Sequence, residues 1–158
     1  MISPEELARL PFFKDLDDEE RALLAGIARR ESAAAGQRIF EEGEPSHTLY
    51  IVVSGLVSLR QKTRHEAAEV ALSAGRPGEL IGVSAMLGEA GVHPISGVCL
   101  EPTELIEIDA SVLMDALDSN PAVGYRILRR LNHIEAERLA AAWSQIRSQG
   151  RAGEITHG

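Results

Sequence analysis

The stretch Gly36–Gln61, GQRIFEEGEPSHTLYIVVSGLVSLRQ, decides the fold. It holds three short apolar or β-branched runs: Arg38 to Phe40, Leu49 to Val53 and Leu56 to Leu59. Gly43, Pro45 and Gly55 cut them apart. Runs this short, bounded by turn residues, predict strands rather than helices. The same texture continues in EVALSAG (69–75), ELIGV (79–83), ISGVCL (95–100) and ELIEI (104–108), with RHEAAE (64–69) as the expected tip of a hairpin. Many short strands at close spacing imply a small antiparallel barrel or jelly roll.

Helical signals flank this block. Ser3-Pro4-Glu5-Glu6 carries a capping residue, a proline suited to the first helical position and a capping-box glutamate. Asp17 with Glu20 repeats the pattern ahead of Leu23, Leu24 and Ile27, and the helix is expected to run to Arg30. After Ile108, DASVLMDALDSN (109–120) reads as a short helix. Asn120-Pro121 then opens a long one to Gln149, with Asn120 as the expected cap. Its apolar positions Ile127, Leu131, Ile134, Leu139, Ala142 and Ile146 recur near a 3.5–3.6 period. A helix of that length spans roughly 40 Å at about 1.5 Å per residue. It overhangs a small roll, so these residues form the candidate dimer interface. The expected organisation is one domain over 1–149: helices at 3–30, a β-roll at 32–108, helices at 109–149 and a disordered tail at 150–158.

The bulk composition narrows the function classes. A chain of 158 residues is one domain in size and buries a core without staples. A net charge of −8 argues against wrapping nucleic acid. The single cysteine, Cys99, excludes an internal disulfide and suits a reducing compartment. No basic leader precedes an apolar run, and no run reaches the roughly 18 residues of a membrane span. The expected location is therefore the cytoplasm, with no membrane contact. His47, His65, His93, His133 and His157 are not paired at metal-ligand spacing, and there is no nucleophile elbow or P-loop. No enzyme, metal or cofactor is expected.

The order of elements, with GQRIFEEGEPSHTLYIVVSGLVSL, GRPGELIG and LEPTELIEID, resembles the cyclic nucleotide-binding domain of the catabolite-activator and Fnr type regulators over roughly residues 5–145. The resemblance implies an α+β, mainly β fold: a jelly-roll β-roll of the double-stranded β-helix kind, with N-terminal helices and a long C-terminal dimerisation helix. It implies a cassette that holds a cyclic phosphate on backbone amides and an arginine fork, with a glutamate on the ribose hydroxyl. Aligned on Pro77-Gly78-Glu79 as the preceding turn, the cassette is Ile81–Leu87. Gly82, Ala85 and Leu87 agree with the family pattern. Val83 stands where the glutamate belongs, and His93-Pro94 where arginine and serine belong.

The candidate ligand-binding residues are therefore Gly82, Val83, Ser84, Ala85, His93, Pro94 and Arg138, the last on the long helix. Two missing charge-assisted contacts remove roughly 3–6 kcal/mol, or about 10² to 10⁴ in affinity. The expectation is a stand-alone regulatory or sensor module. It would be a homodimer that takes a small molecule in the roll and holds cAMP and cGMP poorly or not at all. Three alternatives stay open: a true cyclic-nucleotide binder in an altered pose with Arg138 or His93 on the phosphate, the sensor part of a regulator, and an interaction scaffold with a vestigial pocket. Nine residues follow Gln149, too few for the family's helix-turn-helix, so no direct DNA binding by this chain is expected.

Overall fold

Two capping boxes set the N-terminal helices. In α1 (Pro4–Ala8) the Glu6 amide donates to the Ser3 hydroxyl at 3.3 Å, and the Ser3 amide to the Glu6 carboxylate at 2.9 Å. Asp17 and Glu20 repeat the exchange at 2.9 and 3.0 Å for α2 (Asp18–Ile27). A 3-10 turn, Pro11–Phe13, joins them. The molecule is a computed structural model that describes residues 1–64 and 68–149.

α2 stops at Ile27, and the chain enters β1 (Ala28–Ala33) with no connecting loop. The expected helix through Arg30, and a roll beginning at residue 32, are corrected here. Ala28 through Ala33 pair in unbroken register with Ile108 through Thr103. Only the two end residues of β1 are buried, so the strand carries no alternation for a pattern to detect.

The remaining strands are β2 (Arg38–Phe40), β3 (Thr48–Ser54), β4 (Val57–Lys62), β5 (Glu69–Gly75), β6 (Leu80–Ile81), β7 (Ser96–Cys99) and β8 (Thr103–Asp109). They form two four-stranded sheets, β1-β8-β3-β6 and β2-β7-β4-β5, and every pairing is antiparallel. This is the expected jelly-roll architecture. The Thr63 amide donates to the Ala68 carbonyl at 3.1 Å, closing the β4–β5 hairpin. Of the expected tip, 64–69, residues 65–67 lie outside the described residues, as does the tail expected at 150–158.

Strand alternation splits the apolar residues into two clusters. On β3, Leu49 and Ile51 point to the helices, where they meet Leu7, Phe13 and Leu24. Tyr50 and Val52 point into the roll with Phe40, Leu59 and Leu105. α3 (Ala110–Ser119) is capped by Asp109, whose carboxylate accepts from the Ser111 and Val112 amides at 2.9 and 3.1 Å. Asn120 does not cap the next helix with its side chain. Its amide nitrogen turns back to the Ala116 carbonyl at 3.3 Å, completing the end of α3.

α4 (Pro121–Gln149) runs in two regimes. Ile127 is 1% exposed and belongs with Leu131 to the helical core, while Ile134 packs against it. The interface expectation is corrected for Ile127 and Leu131: their own chain already buries them. Leu139, Ala142 and Ile146 lie on the exposed half, beside Trp143 at 63% exposure. The first half is also fastened by polar contacts. Arg126 pairs with the buried Glu20, and Arg130 donates to the Pro11 carbonyl at 3.2 Å. No helix among the described residues is long and apolar enough to cross a membrane.

Candidate functional site

The cassette begins where β6 ends. Gly82 takes a left-handed conformation, φ +76°. A Cβ there would stand 2.8 Å from the Thr48 carbonyl and 3.1 Å from the Tyr50 ring, so only glycine lets the chain turn this close to β3. A 3-10 segment, Val83–Ala90, follows and kinks at Gly88. Ala85 is buried in the helical core. Val83 packs with Met86 against that same core. Its environment is apolar, and its side chain has no hydrogen bond to offer a sugar.

The far end of the cassette is sewn to the β2–β3 loop. The Ser84 hydroxyl donates to the buried Ser46 hydroxyl at 2.9 Å. The Ser46 amide donates to the Gly91 carbonyl at 3.0 Å, the His93 amide to the Glu44 carbonyl at 2.9 Å, and the Gly43 amide to the His93 carbonyl at 2.8 Å. These bonds fix His93 from both sides. Pro94 is exposed and has no amide to donate; its carbonyl accepts from the Gln61 side chain at 3.4 Å.

His93 is 6% exposed and lies flat on Phe40, with ring centroids 4.5 Å apart and planes 13° from parallel. Phe40 in turn meets Tyr50 at 5.8 Å. Gly97 makes room for this stack: a Cβ on it would lie 2.7 Å from the Phe40 ring edge. Burial holds the His93 imidazole below its ordinary pKa; Glu44 opposes that shift and His47 adds to it. At neutral pH the ring is therefore uncharged. Deeper along β3 and β8, burial also raises the Tyr50 phenol and the Glu107 carboxyl, with Glu31 adding to the latter.

Arg138 reaches the cassette from α4 but arrives with partners. One guanidinium nitrogen donates to the Leu80 carbonyl and another to Glu135 at 2.8 Å. Gly82, Ser84, Ala85 and His93 thus share one loop system, and Arg138 anchors its entry strand. Phe40, Tyr50 and Ser46 complete the site, and sequence reasoning does not single them out. Two of the chain's few aromatics falling in successive strand runs is the signal that marks them. Among the described residues, no group of three or more His, Cys, Asp or Glu could hold a metal ion.

A sequence model of the cyclic nucleotide-binding domain matches residues 30–120. The chain is 29% identical over 143 residues to a cyclic AMP receptor protein of Thermus thermophilus, covering 88% of this chain and 65% of that protein. It is 30% identical over 125 residues to an uncharacterized NTE family protein of Mycobacterium tuberculosis, covering 79% of this chain and 20% of that one. The chain thus spans about a fifth of the length of the first curated relatives it matches. A crystal structure of a putative cyclic nucleotide-binding protein from Geobacter metallireducens superposes with a TM-score of 0.75 at 27% identity, covering 88% of this chain and 99% of that one. The N-terminal domain of a transcriptional regulator from Streptomyces coelicolor gives 0.69 at 31% identity, covering 87% and 94%. Fold, cassette and these matches agree: the chain belongs to the cyclic nucleotide-binding domain family.

Proposed function

We propose that this domain is a regulatory sensing module whose β-roll takes a small ligand without the carboxylate and guanidinium that a cyclic nucleotide requires. The observation that carries this reading is the His93–Phe40 stack. The position that should present a permanent cation presents a buried, neutral ring instead. Val83 supports the same conclusion, because it belongs to the helical core and offers no acceptor. The backbone shape of the cassette persists while its charge complementarity is gone. A cyclic phosphate entering this site would exchange water for few donors, and that costs affinity.

The module acts by coupling the cassette to α4. Arg138 ties the helix to the strand that leads into Gly82, so a ligand that shifts this strand shifts the helix. A ligand changes the balance of states only through its different affinity for each. The exposed half of α4, with Leu139, Ala142 and Ile146, is the surface we assign to homodimerisation. We assign the domain to the cytoplasm, with no nucleic acid contact of its own.

Calorimetric titration with cAMP and cGMP tests this. The chain is expected to bind neither with micromolar affinity. A Val83→Glu/His93→Arg/Pro94→Ser triple variant is expected to gain about 10² to 10⁴ in affinity for at least one. Micromolar binding by the unaltered chain, lost in Arg138→Ala, would overturn the reading in favour of a nucleotide held in an altered pose.

A further inference from the structure

A cavity of about 390 Å³ lies away from the cassette, between the N-terminal segment and the helix-facing side of the β1-β8-β3-β6 sheet. Its volume falls in the range of small-molecule sites. Ile106 and Val53 form part of its apolar floor, and Leu10, Pro11 and Pro77 add apolar wall. Three charged side chains line it as well: Glu6, Arg9 and Arg30. Arg30 is already neutralised by its ion pair with Glu6. Arg9 has no ion pair and no side-chain hydrogen bond among the described residues. The cavity therefore carries one uncompensated positive charge above an apolar floor, in a chain whose net charge is −8.

We propose that this cavity binds a small organic anion with an apolar body, its carboxylate on the Arg9 guanidinium and its hydrocarbon against Val53 and Ile106. A guanidinium and a carboxylate match in charge and in planar geometry. An apolar floor with one placed cation is the usual composition of such sites. A hydrophilic anion such as inorganic phosphate fits poorly, because it would leave the floor uncovered. The site also has a route to the rest of the molecule. Pro11, one of its walls, is the residue whose carbonyl holds Arg130 of α4. Occupancy would bear on the same helix that the cassette reaches through Arg138. Nothing in this proposal depends on what the roll binds.

Octanoate is the probe. In amide-resolved NMR of the full chain, millimolar octanoate is expected to shift the resonances of Leu10, Val53, Gly78 and Ile106 and to leave Ser84 and His93 in place. Arg9→Ala is expected to weaken octanoate by about tenfold to a hundredfold, as loss of a charge-assisted hydrogen bond does. Arg9→Lys should recover part of that loss, and the neutral analogue octanamide should bind as weakly to the unaltered chain as octanoate does to Arg9→Ala. Arg9 is exposed, so these variants keep the fold, and their unchanged melting checks it. Equal affinity for octanoate and octanamide, equal affinity for inorganic phosphate, or an unaffected Arg9→Ala would each overturn the proposal.

Discussion

The two apolar clusters divide the work of this domain between them. The cluster outside the roll joins α1 through α4 to the helix-facing sheet and is built almost wholly of aliphatic and phenylalanine side chains. The cluster inside the roll is smaller, and polar groups border it: the Tyr50 phenol and His93 stacked on Phe40. The first gains from burial with no compensating demand. The second must satisfy each buried donor and acceptor, which constrains its geometry and leaves it responsive to charge. Stability therefore rests mainly on the outer cluster, and under the proposed function ligand chemistry falls to the inner one.

The sharpest way to break this division is in the outer cluster. Ile127→Ala removes a fully buried side chain and is expected to cost about 2–5 kcal/mol, measured by urea unfolding. A cost no larger than that of an exposed substitution would show that α4 is not part of the core. Next in size is the junction between the clusters. Gly82→Ala forces a side chain into the left-handed region and against the Thr48 carbonyl, so a loss of about 1–3 kcal/mol is expected in the same assay.

The inner cluster is expected to respond to acid. Burial holds His93 below its unfolded pKa, so the unfolded chain takes up that proton first as pH falls. The contribution of the neutral ring is complete above about pH 6.5 and declines below it, by at most about 1.4 kcal/mol per pH unit. His93→Gln should flatten the dependence of unfolding free energy on pH just below 6.5. An identical slope in the variant would remove His93 from this role. The smallest effect on folding is expected from the exposed half of α4. Leu139→Glu with Trp143→Glu should change unfolding free energy by about 0.5 kcal/mol or less per site. The same pair should abolish self-association in analytical ultracentrifugation. A strictly monomeric unaltered chain would instead deny this face its assigned role.

The outer cluster was the more legible of the two. Both capping boxes follow from Ser3/Glu6 and Asp17/Glu20, because a cap depends on residues three positions apart. The strands from β3 to β8 follow from short runs between turn residues. β1 was hidden, because its pairing partners lie 70 to 80 residues away, from Ala33↔Thr103 to Ala28↔Ile108, and its burial shows no alternation. Places for Val83 and His93 in the cassette could be taken from the family resemblance. Their surroundings could not. Whether His93, in a loop, faces solvent or a ring depends on Phe40, which belongs to β2.

By itself the sequence determined most of the order of elements, the two N-terminal capping boxes and the net negative charge. Each is a property of residue type or of spacing within a few positions. Tertiary structure decided the rest. It put Ile127 and Leu131 into their own core and left Leu139 and Ile146 outside, although all four share one helical period. It committed Arg138 to the Leu80 carbonyl. It laid His93 on Phe40 and buried it, which lowers its pKa. The physical reason is common to these cases: burial, ion pairing and pKa are set by whichever groups the fold brings within a few ångströms, and that proximity is not a property of any local stretch of chain.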